Sequence, residues 1–104
     1  MTSIAIDLPM DEIRDFCARW KIREFALFGS VLRDDFRPDS DIDVLVSFEP
    51  DAKWSLLDHV RMEDDLAAIV GRDVDIVGKD AVEQSRNRFR RHEILGTAHV
   101  IFAA

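Results

Sequence analysis

The sequence predicts an α/β (α+β) fold in which a small mixed β-sheet of roughly three to four strands packs against about four helices. Two observations predict it. Segments with apolar residues at helical spacing alternate along the chain with short apolar runs that end at glycine or at polar turn residues. The chain has 104 residues, without internal repeats or low-complexity segments. We therefore expect a single domain, residues 1–104, with one modest core.

The first helix is predicted over the segment PMDEIRDFCARWKI. Its first turn is acidic, and its apolar residues recur at helical spacing, at Ile13, Phe16, Cys17 and Trp20. Cys17 is the single cysteine of the chain, so no disulfide can form within it. Its position on the apolar helix face indicates a small core residue.

The next segments predict a strand, a short helix and a second strand. EFALF, residues 24–28, is short and apolar and is followed by glycine, which is typical of a strand. SVLRDDF indicates a short helix, and the Pro, Asp and Ser of RPDS indicate a turn. DIDVLVSF is the second predicted strand, and EPDAK is the loop that follows it.

The second half of the chain repeats the alternation. WSLLDHVRMEDDLAAIV predicts a long amphipathic helix that ends with Gly71 as its C-cap. The apolar residues of that helix are Leu56, Leu57, Val60, Leu66, Ile69 and Val70. DVDIVG predicts a third strand, and DAVEQSRNRFRRHEIL predicts one final helix. AHVIFA fits either a fourth strand or an apolar tail.

Composition excludes several classes of function. With 21 acidic and 14 basic residues the chain repels polyanions, so binding to long nucleic acids is not expected. An apolar run long enough to cross a bilayer is absent, as is a basic and apolar leader, so we expect a soluble cytoplasmic protein. One local exception is the basic segment of Arg86, Arg88, Arg90, Arg91 and His92. It fits the solvated face and basic end of a helix, or a patch for an acidic partner or a phosphate.

Two aspartates lie one residue apart in the second predicted strand. Because side chains alternate faces along a strand, Asp41 and Asp43 should point the same way, about 6 to 7 Å apart. Two such carboxylates repel each other, and burying them is costly unless a positive charge compensates. Mg²⁺ suits these ligands, since it binds through one or two carboxylates together with substrate phosphates.

The third predicted strand carries a similar pair, Asp73 and Asp75. If it lies beside the second strand, one of these carboxylates can reach the same ions, because neighbouring strands are about 4.8 Å apart. Asp75 is the better candidate because Val74 and Ile76 flank it within the strand. Three carboxylates could then surround two metal ions about 3.5 to 4 Å apart, an arrangement that supports phosphoryl transfer.

A phosphate site is predicted at the end of the first strand. Gly29 lets the backbone approach a ligand, and the helix that follows would offer free N–H groups to a phosphate. Ser30 adds a hydroxyl donor, and Arg33 could extend along the same face towards a triphosphate.

These residues resemble a known family. GSVLRDDFRPDSDID is similar to the glycine-serine and Asp-x-Asp signature of the DNA-polymerase-beta-like nucleotidyltransferases, and VDIV to their third-aspartate strand. The resemblance covers nearly the whole chain and is strongest to the minimal nucleotidyltransferases, the MNT or MntA-like antitoxins paired with HEPN-domain toxins. It implies the nucleotidyltransferase fold.

The resemblance also implies roles for individual residues. Asp41 and Asp43 would hold magnesium, with two ions expected, together with ATP, and Asp75 would complete the site and help to deprotonate the acceptor. Gly29 and Ser30 would grip the terminal phosphates, with Arg33 contacting them as well. The implied reaction transfers AMP to a hydroxyl, expected to be a tyrosine, of a HEPN RNase toxin held in a hetero-oligomeric complex, and silences the toxin.

Three functions stay open on the sequence alone. The chain contains no tyrosine, so a tyrosine acceptor must belong to another molecule. The first function is an antitoxin enzyme that adenylylates its toxin. The second is an antitoxin that only masks the toxin by binding. The third is a subunit of an enzyme that modifies a small molecule such as an aminoglycoside.

Overall fold

The computed structural model describes residues 8–29 and 41–103, and within them helices and strands alternate as the sequence predicts. In chain order the elements are α1 (Met10–Arg19), β1 (Ile22–Phe28), β2 (Ile42–Phe48), α2 (Leu56–Val70), β3 (Val74–Gly78), α3 (Lys79–Glu83), α4 (Arg88–Thr97) and β4 (His99–Ala103). The predicted short helix SVLRDDF and turn RPDS lie outside the described residues. None of the helices in the described part is long and apolar enough to cross a membrane.

The four strands form one mixed sheet in the order β3-β2-β1-β4. β1 pairs with β2 and with β4 in the antiparallel sense, whereas β2 and β3 are parallel. The predicted α/β fold with a small mixed sheet is confirmed, and the segment AHVIFA is a strand rather than a tail. This order makes β2 an inner strand, with β1 on one side and β3 on the other.

The two faces of the sheet are covered by different helices. Ile42, Val44 and Val46 of β2 are buried in a cluster with residues of α1 and α2. Leu45, between them, belongs to a second cluster that includes Val82 of α3 and Ile94 of α4. Because side chains alternate along a strand, α1 and α2 cover one face and α3 and α4 the other. The burial of these apolar side chains on both faces stabilises the fold.

The boundary between α1 and β1 differs from the prediction by a few residues. The helix ends at Arg19 rather than continuing to Ile22, and the strand begins at Ile22 rather than at residue 24. Lys21 adopts a left-handed backbone conformation, with φ of 55°, which ends the helical path. Ile22 is thereby released into the sheet, where it is buried and pairs with Phe48.

Cys17 is predicted to resist thiol reagents in the folded protein. The residue is fully buried, and burial raises the pKa of its thiol from 9.0 to about 12. At pH 8 we expect iodoacetamide to label it only as fast as the chain unfolds, which intact-mass measurement along a urea series can follow. Between these two pKa values, the thiol ionises in the unfolded chain but not in the folded one. The contribution of buried Cys17 to stability is therefore complete below pH 9.0 and is lost as pH rises towards 12. Rapid labelling without urea would contradict this prediction.

The helix α2 begins and ends as its sequence indicates, but its first turns are exposed. Ser55 and Asp58 form a capping box at its start, and Gly71, with φ of 76°, ends it as a left-handed C-cap. The prediction of Gly71 as the C-cap is confirmed. The helix packs against the core through its later residues, Met62, Leu66, Ile69 and Val70. Three of its predicted apolar residues lie before that contact and stay exposed, Leu56, Leu57 and Val60.

The predicted final helix is wrong in one respect, because two helices replace it. α3 ends at Glu83 and α4 begins at Arg88. Between them the Ser85 hydroxyl accepts a hydrogen bond from the Asn87 N–H, and the Asn87 side chain accepts one from the Arg90 N–H. Asn87 is therefore an N-cap, and capping side chains of this kind start a new helix. As a result the arginines occupy the first turn of α4 rather than the basic end of a helix.

Candidate active site

Asp43 and Asp75 lie opposite each other on neighbouring strands. β2 and β3 are adjacent and parallel, and in their register Asp43 pairs with Asp75. Residues paired in this way share a face of the sheet, and neighbouring strands are about 4.8 Å apart. Asp43 is half-buried and Asp75 is exposed, so a ligand in solution can reach this pair from the strand ends.

The pair lies on the face that α3 and α4 cover. The neighbours of Asp43 along β2, Ile42 and Val44, belong to the core under α1 and α2. Asp43 therefore shares its face with Leu45, just as Asp75 shares its face with Val77. The neighbours of each carboxylate along its strand thus pack into the core on the opposite face of the sheet.

Gly29 brings backbone directly against the Asp43 carboxylate. It follows β1, whose last residue, Phe28, pairs with Asp43, and it has φ of 78°. A Cβ atom at Gly29 would overlap the Asp43 Oδ2 and would lie 3.2 Å from its Cγ. Only glycine combines that left-handed conformation with this approach. Approach of the Gly29 backbone to a ligand stays a prediction, and the neighbour that the structure shows is the Asp43 carboxylate.

Asp41 and Asp73 mark the entrance to the same two strands. Asp41 is exposed and lies one residue before β2. The Ile42 N–H donates a hydrogen bond to the Asp73 carbonyl at 3.0 Å, so the ladder between β2 and β3 begins at this point. Asp41, Asp43 and Asp75, the three predicted ligands, therefore lie at one end of the sheet together with Asp73, and the register pairs Asp43 with Asp75.

Of the three predicted metal ligands, Asp43 and Asp75 are paired in register, and Asp41 lies one residue before β2. Within residues 8–29 and 41–103, no three His, Cys, Asp or Glu side chains are close enough together to hold one ion. The paired carboxylates of Asp43 and Asp75 still fit magnesium, which binds through one or two protein carboxylates plus substrate phosphates. The predicted phosphate ligands Ser30 and Arg33 lie outside the described residues.

Glu63 is a residue near the site that the sequence analysis did not single out. Its Oε2 accepts a hydrogen bond from the Ile76 N–H at 2.8 Å, one residue beyond Asp75. The His59 Nε2 lies 3.8 Å from the same oxygen. The local signal was weak: Glu63 follows the buried Met62 on α2, and nothing in its neighbours indicates which strand it reaches.

The basic segment, residues 86–92, spans the end of the loop before α4 and the start of that helix, and its charges form no ion pair with another described residue. Arg86, Arg88 and Arg90 are exposed and make no ion pair with any described residue. Phe89, among them, is 89% exposed. Arginines in the first turn of a helix face the positive end of its dipole, which is unfavourable. This arrangement is one that an acidic partner surface would stabilise.

The two tryptophans serve the packing of the protein interior. Their rings meet edge to face, with centroids 5.2 Å apart, and the Trp54 Nε1–H donates to the Trp20 carbonyl at 3.0 Å. Both rings, with Phe48, pack against the core cluster of α1 and α2. These contacts make Trp54 and Phe48 packing residues rather than a base-stacking surface.

Comparison with known proteins identifies the family. The sequence profile of the family described as "Nucleotidyltransferase domain" matches residues 10–96. The chain belongs to this family. Its nucleotidyltransferase domain is also 40% identical over 65 residues to the protein adenylyltransferase MntA of Thermococcus cleftensis. That match covers 62% of the chain and 64% of MntA, so the chain spans slightly less than two-thirds of its relative's length.

Solved structures share the fold of this nucleotidyltransferase domain. A candidate minimal nucleotidyltransferase is 36% identical, with a TM-score of 0.62 over 89% of this chain and 94% of that one. A toxin-antitoxin crystal structure with AMP-PNP has a TM-score of 0.70 at 18% identity, over 93% and 75% of the two chains. The complex of a tri-AMPylated Shewanella oneidensis HEPN toxin with MNT antitoxin has a TM-score of 0.59 at 19% identity, over 91% of this chain and 66% of that one. At these lower identities the likeness concerns the fold alone.

Proposed function

We propose that this chain is a single-domain, magnesium-dependent nucleotidyltransferase that transfers AMP from ATP to a hydroxyl of a cognate HEPN RNase toxin and thereby neutralises it. The observation that carries the proposal is the in-register pair Asp43 and Asp75, with Gly29 against Asp43, in a member of the nucleotidyltransferase family. The protein adenylyltransferase relative supports transfer of AMP to a protein.

In the proposed reaction the acceptor oxygen attacks the α-phosphorus of ATP. A new oxygen–phosphorus bond forms, the bond between the α- and β-phosphates breaks, and pyrophosphate leaves. Asp75 takes the proton of the acceptor hydroxyl. Asp41, Asp43 and Asp75 would also be the ligands of magnesium, and Asp41 and Asp43 orient the nucleotide. Magnesium, when bound, would neutralise phosphate charge. Gly29, Ser30 and Arg33 are assigned to the terminal phosphates. The residues thus act mainly by positioning and charge neutralisation.

The surface of α4 supports a protein acceptor over a small molecule. The exposed Phe89 lies among Arg86, Arg88 and Arg90, which form no ion pair within the described part of the chain, and aromatic and arginine side chains are enriched in protein interfaces. The chain contains no tyrosine, so a tyrosine acceptor has to be presented by another molecule. We propose that a HEPN toxin docks at this surface in a hetero-oligomeric complex, on the face of the sheet that carries Asp43 and Asp75.

The same surface favours a second candidate, an antitoxin that neutralises its toxin by binding alone. Masking would use Phe89 and the arginines of α4 but would need no paired carboxylates. The in-register Asp43 and Asp75 favour the enzyme, because like charges opposite each other on neighbouring strands destabilise a sheet. A protein that only masks its partner gains nothing from that cost.

The test is intact-mass measurement after incubation with ATP, magnesium and a candidate HEPN partner, taken from an adjacent reading frame where one is found. We expect the partner to gain the mass of one or more AMP units, the chain itself to gain none, and EDTA to abolish the gain. If the toxin is inhibited but carries no AMP, the masking antitoxin replaces the enzyme as the proposed function. AMP on the isolated chain as readily as on the partner would contradict a protein acceptor presented in trans.

A further inference from the structure

We propose that Glu63 is a positioning residue for Asp75. Its carboxylate holds the outer edge of β3 and thereby keeps Asp75 opposite Asp43. The inference rests on the proposed function for its effect on AMP transfer, but the geometry it describes can be measured without that reaction. Glu63 lies on α2, and its role requires no contact with nucleotide or acceptor.

The backbone pattern of β3 explains why Glu63 reaches this position. Within the described residues β3 pairs only with β2, so its other edge carries N–H groups without strand partners. The Asp73 carbonyl accepts from the Ile42 N–H, so Asp73 directs its backbone groups towards β2. Alternate residues of a parallel strand do the same, so Asp75 also faces β2 and the Ile76 N–H faces outwards.

Glu63 supplies the missing partner for this outward N–H. Its Oε2 accepts from Ile76 at 2.8 Å, and the side chain is only 27% exposed, so water competes weakly for the bond. A hydrogen bond from a backbone N–H to a carboxylate is stronger than one between neutral groups. Asp75 is therefore held on one side by the ladder to β2 and, at the next residue, by α2.

The need for this second anchor follows from the charges at the site. Asp43 and Asp75 repel each other across the ladder, which pushes the short strand β3 away from β2. β3 has five residues, so few ladder bonds resist that force. The Glu63 bond ties the strand to α2, which is anchored in the core through Met62 and Leu66. The His59 Nε2 lies 3.8 Å from the same Glu63 oxygen.

The test compares two substitutions that differ in their ability to accept a hydrogen bond. Glu63→Gln keeps an acceptor of the same length, whereas Glu63→Met keeps length and helix propensity without a comparable acceptor. Asp64→Asn is the matched control. Asp64 is the exposed neighbour of Glu63, and its substitution also removes one negative charge. Circular dichroism establishes that each variant is folded before the other measurements are made.

Three readouts separate positioning from general stability: amide exchange at Ile76, affinity for Mn²⁺ by electron paramagnetic resonance, and kcat with KM for AMP transfer. In Glu63→Met we expect faster exchange at Ile76, and Mn²⁺ affinity and kcat lower by about tenfold, the loss typical of residues behind metal ligands. Asp64→Asn should stay close to the parent protein, and Glu63→Gln should lose less than Glu63→Met, because its neutral amide oxygen still accepts the bond but more weakly. The KM for ATP should change little in all three variants.

Two results would overturn the proposal. One is unchanged Mn²⁺ affinity in Glu63→Met despite faster exchange at Ile76, which would make the bond purely structural. The other is an equal loss of Mn²⁺ affinity and kcat in Glu63→Gln and Glu63→Met, which would mean that the charge of Glu63, not its hydrogen bond, supports the site. If the parent protein binds Mn²⁺ but transfers no AMP, the proposed function fails while the exchange and Mn²⁺ comparison still decides the role of Glu63.

Discussion

Replacing Asp43 with asparagine is expected to lower the rate of AMP transfer at least about a hundredfold while leaving the fold intact. Asp43 lies between Gly29 on the β1 side and Asp75 on the β3 side, so it is the central carboxylate of the candidate site. Asparagine has the same shape but no charge and is a poorer ligand for Mg²⁺. The substitution therefore removes the chemistry without removing volume.

The stability of the same variant gives the prediction a second readout. We expect it to remain folded, because asparagine keeps the shape of aspartate and the substitution relieves a like-charge repulsion with Asp75 that is worth about 0.2 to 1 kcal/mol in the free energy of unfolding. Urea denaturation measures that change, and intact mass of the partner measures AMP transfer. A variant that is both less stable and less active would point to a structural role for Asp43.

Asp73→Asn is the matched control for this experiment. Asp73 lies at the same end of the sheet and joins the ladder through its carbonyl, which the substitution leaves in place. We expect AMP transfer within a few-fold of the parent protein. If Asp43→Asn still protects cells from the toxin and leaves it free of AMP, the masking function replaces the enzymatic one.

The positions of the carboxylates show which features of the site can be predicted from local sequence. The short apolar runs in DIDVLVSF and DVDIVG predict strands that contain Asp43 and Asp75, and because side chains alternate along a strand, each aspartate faces away from its two apolar neighbours. Their pairing depends on β2 and β3 being adjacent, parallel and in that register. Strand order is a property of the whole sheet, so the sequence analysis could only state the adjacency as a condition.

Two other features lay beyond the sequence for different reasons. The division between α3 and α4 depends on a competition between helical hydrogen bonds and the side chains of Ser85 and Asn87, which differ little in free energy. The bond from Glu63 to β3 joins residues 13 positions apart, and periodicity carries no information on such a contact. Gly71, by contrast, was predictable because a helix C-cap is a local feature.

Gly29→Ala is expected to reduce AMP transfer about as severely as loss of Asp43 itself, by about a hundredfold, because small displacements of a catalytic group cost that much. Two effects combine at this position. The residue has φ of 78°, which an alanine adopts only with strain of about 1 kcal/mol. In addition, the new methyl group would overlap the Asp43 carboxylate, which must then leave its place opposite Asp75.

Gly71→Ala separates these two effects, because Gly71 has nearly the same conformation, with φ of 76°, but no atom within 4 Å of a Cβ built on it. It should lose the same conformational free energy, about 1 kcal/mol in urea denaturation, and keep full AMP transfer. The difference in activity between the two variants then measures the displacement of Asp43 alone. Equal activities would mean that the backbone of Gly29 does not position this carboxylate, and that the close approach serves only the packing of β1 on β2.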